Sequence, residues 1–276
     1  MKLDGVEPAL KKVRGHYEGS TPALERLFSG LRKGGPPAFL LHTGDVIDAY
    51  RFDGENGAVV EGQIEHARAV LARCPLPIYL ALGNHDIQHY RRVGEKVTAD
   101  RGPDVASAAR REWRQAAACF RDGSYYAFSR RSGKTEYHFL VLDNGEPLPP
   151  EKSAFLTAQL EWLEKELARR RNGPIIVAMH IPLAKDRVSE AIAQVLSRSA
   201  KVELILAGHR HTNGIEEIPL GGRLVPQIRT SAFAIDERDF RRVLLWEDRI
   251  EVFATGKPGQ LEKTIALAAA AAAAAK

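Results

Sequence analysis

Apolar runs of four or five residues recur along the chain, and four of them end in a short cluster of Gly, Asp, Asn or His. Ala38-Phe39-Leu40-Leu41 leads to Gly44-Asp45-Val46-Ile47-Asp48, and Ile78-Tyr79-Leu80-Ala81-Leu82 leads to Gly83-Asn84-His85-Asp86. Ile175-Ile176-Val177-Ala178-Met179 leads to His180, and Leu204-Ile205-Leu206-Ala207 leads to Gly208-His209-Arg210-His211. Short apolar runs bounded by turn residues predict buried strands. Helical spacing falls between them. Thr21 as cap and Pro22 in the first turn open a helix with Leu24, Leu27, Phe28 and Leu31 on one face, closed by Gly34-Gly35-Pro36-Pro37. Further helices are expected over 61–73, 153–170 and 188–198.

The alternation breaks over 87–122, a stretch rich in Arg, Ala and Glu, with Trp113 and Phe120 as its main apolar anchors. It is expected to form a loop and a helix, a cap-like insertion at the mouth of the site. Tyr125-Tyr126-Ala127-Phe128 and residues 137–142 flank 130–134 as a hairpin. After His211 the pattern is all β, with hairpins turning at Gly221-Gly222 and Glu247-Asp248. No repeat or linker divides the chain. The expectation is one α/β domain over 1–265, with sheet layers inside and helices outside, and an Ala-rich tail over 266–276 that is given no function.

Composition narrows the function. The chain has 276 residues and is 44% hydrophobic, enough for a full core. A net charge of +5 suits an anionic substrate but is spread too thinly for a nucleic-acid surface, and only 7% of residues are aromatic. The densest basic run, Arg169-Arg170-Arg171, reads as a solvated helix end. Cys74 and Cys119 lack C-x-x-C spacing, so a reducing compartment is expected. No export signal or membrane span is visible, although an N-terminal truncation would hide a signal. The expected location is cytoplasmic.

The clusters supply the chemistry. In open α/β sheets, ligands bind beyond the carboxyl ends of strands, which is where all four clusters fall. Asp45 offers a carboxylate able to bridge two cations, Asn84 a carbonyl oxygen, and His180, His209 and His211 imidazole nitrogens. Two metals about 3.5–4 Å apart can clamp the attacking and leaving oxygens of a displacement. Mixed N and O donors suit Mn, Fe or Zn. His85 directly follows Asn84, so it is expected beside the metals as a general acid or cationic stabiliser, with Asp86 accepting a ring N–H. Asp48 is expected to hold a ligating His or a water.

This order of motifs resembles the calcineurin-like metallophosphoesterase superfamily, whose pattern runs D-x-H, G-D-x-x-D, G-N-H-D/E, a lone H, then G-H-x-H. Four of the five blocks are present, spanning 44–211. Gln159-Leu160-Glu161-Trp162-Leu163, after Leu142-Asp143-Asn144, is similar to a stretch of its purple-phosphatase-like and cyclic-nucleotide-phosphodiesterase-like branches. The resemblance implies a four-layer α/β/β/α sandwich with two central mixed sheets and outer helices, and a dinuclear centre. It implies Asp45 as the bridge, Asn84, His180 and His209 on one metal, His211 on the other, and His85 at the scissile phosphate. The D-x-H block is missing: Asp4 has no His two residues on, and His16 has no Asp two residues before. The expectation is either a longer natural chain or a depleted second metal position, with Asp4 and His16 the first substitutes to test.

The remaining histidines read as structural. His42 is expected to support the core or the site, and His16, His66, His89 and His138 to have no part in chemistry, His89 as a surface residue. Tyr125 and Tyr126 read as hairpin core and edge. Arg210 stays open between substrate and solvent. The leading function is a metal-dependent phosphomonoesterase or phosphodiesterase acting on a small phosphorylated substrate. The alternative is a catalytically weakened scaffold of the same fold that binds a partner protein. A nuclease ranks last, and neither a membrane nor a nucleic-acid partner is expected.

Overall fold

The computed structural model describes residues 19–31, 36–53, 58–93, 96–170 and 172–267. Asp4, His16, Gly34, Gly35, Arg171 and the alanine run lie outside them. The chain forms two compact units whose segments interleave along the sequence. The first comprises the described residues of Met1–Ser124 with Asp143–Glu146 and Phe233–Glu237; the second comprises Tyr125–Leu142, Pro147–Ala232 and the described part of Arg238–Lys276.

In the first unit, β1 (Leu40–His42) pairs in parallel with β4 (Ile78–Leu80), so the two expected motif strands are neighbours. The ladder runs one step further through Ala81 N–H to the His42 carbonyl, 2.8 Å. Helix α1 (Ser20–Gly30) precedes β1, and α2 (Ile64–Leu71) precedes β4. Thr21 is not the cap of α1: Gly19 holds that position without a side-chain bond, and the Thr21 hydroxyl lies 3.1 Å from His66 Nε2 instead. A long-range partner thus displaces the local capping role. Phe28 and Ala23 fill the buried face of α1.

Segment 87–122 differs from its expectation. Its first half is a hairpin, β5 (His89–Val93) and β6 (Lys96–Asp100), and its second half is α3 (Pro103–Ala116). The hairpin completes a four-stranded sheet with β2 (Arg51–Asp53) and β3 (Val59–Glu61), in the order β3-β2-β5-β6. None of these strands was expected. Arg91, Arg92 and Lys96 are solvent-facing, so no apolar alternation marks them. The helix was legible because Ala106, Ala109, Arg110 and Trp113 line one face, and Trp113 Nε1–H donates to the Asp86 carbonyl at 3.0 Å.

The second unit is built on a six-stranded mixed sheet. Its strands are β7 (Tyr126–Ser132), β8 (Thr135–Val141), β9 (Ile175–Ala178), β10 (Val202–Ala207), β11 (Gly214–Leu220) and β12 (Arg223–Arg229). Their order is β11-β12-β10-β9-β8-β7. The β8-β9-β10-β12 stretch is parallel and buried on both faces, which is why Ile175 to Ala178 read as an unbroken apolar run. Helices α4 (Ala154–Arg169) and α5 (Arg187–Leu196) belong to the same core through Leu163, Leu167, Ile192 and Leu196. Ser153 caps α4 by accepting from Leu156 N–H, and Asp186 caps α5 by accepting from Val188 and Ser189. A three-stranded antiparallel sheet, β13 (Val243–Leu245), β14 (Arg249–Phe253) and β15 (Leu261–Ala266), completes the unit. The β7–β8 turn is only two residues long, and Gly133 takes φ +55° where an added Cβ would strike the Glu247 side chain. The α/β layering read from the sequence holds. Among the described residues, no helix is long and apolar enough to cross a membrane.

Candidate metal centre

The sequence-predicted site residues divide between the units. Asp45, Asp48, Asn84, His85 and Asp86 follow β1 and β4 in the first; His180, His209 and His211 follow β9 and β10 in the second.

In the first unit Asp86 is fully buried and acts on the backbone. Its Oδ2 accepts from Asp45 N–H (2.8 Å) and Gly83 N–H (2.7 Å), and its Oδ1 accepts from Ile47 N–H (3.0 Å). One carboxylate therefore ties the loop after β1 to the loop after β4. Gly83 sits so close to Asp45 that an added Cβ would lie 2.2 Å from Asp45 Oδ1. Asp45 Oδ1 in turn accepts from His85 N–H at 2.9 Å.

Asp86 was expected to orient the His85 ring; Asp48 takes that place. His85 Nδ1 lies 2.9 Å from Asp48 Oδ1 and 3.0 Å from the Asp48 carbonyl. Asp86 is committed to three backbone donors, whereas Asp48, three residues after Asp45, has its side chain toward the ring. Burial pushes the His85 imidazole down in pKa. The hydrogen bond to Asp48 and the charges of Asp45 and Asp48 more than reverse this, so the ring titrates above its ordinary value.

In the second unit the strand ladder itself carries the histidines. Met179 N–H donates to the Leu206 carbonyl (3.0 Å) and Gly208 N–H to the His180 carbonyl (3.0 Å), extending the β9–β10 pairing past both strand ends. His180 is buried and His209 exposed, and His209 Nδ1 lies 3.2 Å from His180 Nε2. The rings meet edge to face, with centroids 5.1 Å apart. The His211 carbonyl accepts from the Ser231 hydroxyl at 3.0 Å, fixing the loop from the far side.

Three features fit these residues to metal ions. The non-glycine residues with positive φ among the described residues are Asp45 (56°), His209 (67°) and His211 (50°). A left-handed backbone costs an L-residue roughly 1–2 kcal/mol, and such strain concentrates at functional positions. Asn84 is 5% exposed, and its Oδ1 is buried with no hydrogen-bond donor, an acceptor left over for a cation. The His180–His209 nitrogen separation of 3.2 Å suits two ligands of one ion, since imidazole–metal bonds of about 2.0–2.1 Å enclosing about 100° span that distance.

The other histidines have structural partners. His42 Nδ1 accepts from Gly44 N–H at 3.2 Å. His89 is not at the surface: it is 6% exposed, with Nε2 2.8 Å from Asp53 Oδ1, because the unforeseen β2–β5 pairing covers it. His138 Nε2 donates to the Asn172 carbonyl (2.8 Å) and its Nδ1 faces the Ser129 hydroxyl (2.8 Å). Tyr125 packs on Phe155 and Trp162. Arg210 is exposed.

Sequence reasoning missed Gln63, Gln88 and Arg101. Gln63 Oε1 accepts from Asp48 N–H (3.0 Å), Gln88 Nε2 donates to the Asp48 carbonyl (2.7 Å), and Arg101 Nε donates to Gln88 Oε1 (2.8 Å). Single polar residues whose partners lie 13 to 40 positions away leave no local signal. It also missed Arg110, which is buried with two bonds to Asp143 (2.7 and 3.0 Å) and one to Glu146 (2.5 Å).

The family model described as calcineurin-like phosphoesterase matches residues 16–213. No curated protein sequence matches. Among solved structures, a dimetal phosphatase from Danio rerio superposes with TM-score 0.59 at 19% identity, covering 91% of this chain and 90% of that one. A sulfate thiohydrolase from Thermus thermophilus (TM-score 0.42, 13% identity) and an NAD nucleotidase from Haemophilus influenzae (0.45, 12%) each align with 91% of this chain, which spans only 42% and 50% of theirs.

Proposed function

The chain belongs to the calcineurin-like phosphoesterase family of metal-dependent phosphoester hydrolases, and from that membership we propose that it cleaves a small phosphomonoester or phosphodiester at a two-metal centre. In this reading Asp45, Asn84, His180 and His209 would hold one metal ion, and His211 would help to hold the other. The observation that carries it is the left-handed backbone at Asp45, His209 and His211, strain that packing alone has no use for. The mixed donor set suits Mn, Fe or Zn. Metal ions held there would supply an acidified water as nucleophile and positive charge for the phosphoryl oxygens. The His211 position, with fewer ligands in the recognised motifs, is proposed to bind the weaker.

His85 is the proton donor to the leaving oxygen. Its Nδ1–H is held by Asp48, which leaves Nε2 for the substrate and stabilises the imidazolium before transfer. Asp86 acts indirectly, by fixing the backbone of Asp45 and Gly83. The net charge of +5 favours an anionic substrate.

Turnover of p-nitrophenyl phosphate and of its bis ester, with added Mn after chelation, tests the reading. Activity should appear with metal, and Asp45→Asn and His209→Ala should each lose both activity and bound metal while staying folded. Metal binding without turnover of any ester would instead favour the scaffold.

A further inference from the structure

We propose that Gln88 is a positioning residue for His85, and that Arg101 fixes which end of the Gln88 amide faces the ring. This rests on the reading of His85 as proton donor.

Gln88 is fully buried, three residues after His85, and the turn between them brings its side chain back toward the ring. Its Nε2 donates to the Asp48 carbonyl at 2.7 Å and lies 2.7 Å from His85 Nδ1. The same carbonyl lies 3.0 Å from His85 Nδ1. Ring and amide therefore converge on one oxygen, and with Nδ1–H and Nε2–H both aimed at it, the 2.7 Å between the two nitrogens is a contact of donors held together by their shared acceptor. Gln63 holds the opposite side of the same residue by accepting from Asp48 N–H at 3.0 Å. Two glutamine side chains thus grip both main-chain polar groups of Asp48, as a neighbouring strand would. This fixes the carboxylate that faces His85.

An amide can flip, because its oxygen and nitrogen ends have nearly the same shape. Here the partners decide. Arg101 has only donors, so its Nε at 2.8 Å requires Oε1; the Asp48 carbonyl has only lone pairs, so it requires Nε2. A flipped amide would set oxygen against the Asp48 carbonyl and N–H against the Arg101 guanidinium, two losses against the one gain of Oε1 facing His85 Nδ1–H. Arg101 follows β6, so the hairpin that interrupts the α/β alternation is wired to the proposed proton donor through one buried amide. A proton donor works only when held near its productive geometry, and losing that hold costs part of the roughly 10²–10⁴-fold help that acid–base catalysis gives.

The test uses the full chain with Mn and two substrates, phenyl phosphate with a poor leaving group and p-nitrophenyl phosphate with a good one. Gln88→Glu keeps size and can pair with Arg101, but sets a carboxylate oxygen against the Asp48 carbonyl and within reach of His85 Nδ1–H, which draws the ring away from that carbonyl. It should lower kcat on phenyl phosphate about tenfold or more, with KM changed less than about twofold, and affect p-nitrophenyl phosphate less. Arg101→Met should act in the same direction more weakly, and Arg101→Lys should recover most of the loss. Nitrogen-15 spectra of the His85 ring read the same effect without turnover: one ring environment in the wild type, a shifted or doubled one in Gln88→Glu. If the ring signals of both variants match the wild type, or if kcat holds while His85→Ala is slowed, Gln88 does not position the ring. If the wild type cleaves neither ester, the hydrolase reading fails on its own, and the ring spectra still decide about Gln88.

Discussion

The two sets of predicted site residues are held by different means. After β1 and β4, placement depends on buried side chains: Asp86 on three backbone N–H groups, Gln63 and Gln88 on Asp48, and Asp48 on His85. After β9 and β10, placement depends on the main chain, with the parallel ladder running on to His180 and Gly208 over a broad apolar core. A polar network is specific but brittle, since one lost partner strands several groups. A ladder over a core spreads its support across many contacts.

The largest effect should come from Asp86→Ala. Three backbone donors lose their acceptor, at about 1–3 kcal/mol each when buried, so a loss of about 3 kcal/mol or more is expected. Urea unfolding measures it, and a loss below about 1 kcal/mol would mean that the network is not what holds this set. Leu163→Ala, in the apolar core of the second unit, should cost about 2–5 kcal/mol, yet the protein that remains folded should bind metal as the wild type does. Metal content falling in step with stability would show that the ladder alone does not place the histidines.

His209→Gly should abolish metal binding while raising stability by about 0.5 kcal/mol, relief of its left-handed backbone outweighing the lost contact with the His180 ring. Asp45→Gly should show no such gain, since the Asp45 carboxylate also accepts from His85 N–H. Equal gains at both positions would erase the distinction between the two sets.

The smallest effect is in pH. Burial, outweighing the hydrogen bond to Asp53, pulls the His89 pKa below its ordinary value. The unfolded chain then binds the proton more readily, so stability is intact above about pH 6.5 and falls as the pH drops through the folded pKa. His89→Gln should flatten that slope in denaturant titrations, and an unchanged slope would assign it to other groups.

What the sequence revealed and what it hid follow the same division. The strands ending at Asp45, Asn84, His180 and His209 were legible because a buried parallel strand is a local apolar run and its polar terminus is adjacent in sequence. The β3-β2-β5-β6 sheet was not, because exposed Arg91, Arg92 and Lys96 carry no alternating pattern. His89 was misjudged for the same reason, its cover coming from a strand that nothing local announced. The exchange of roles between Asp86 and Asp48 was also hidden. Both are acids near the right place, and only the distribution of distant N–H groups separates a backbone clamp from a ring partner.

The left-handed backbone at Asp45, His209 and His211 also bears on descent. In a lineage that still catalyses, these positions are held against their own conformational preference. In a copy released from catalysis that restraint ends, and glycine becomes the residue the backbone favours at 209 and 211, with less pull at 45. A retired member of such a lineage would record its retirement as glycine in the last motif before any change in the strands behind it. This chain still carries His at both positions.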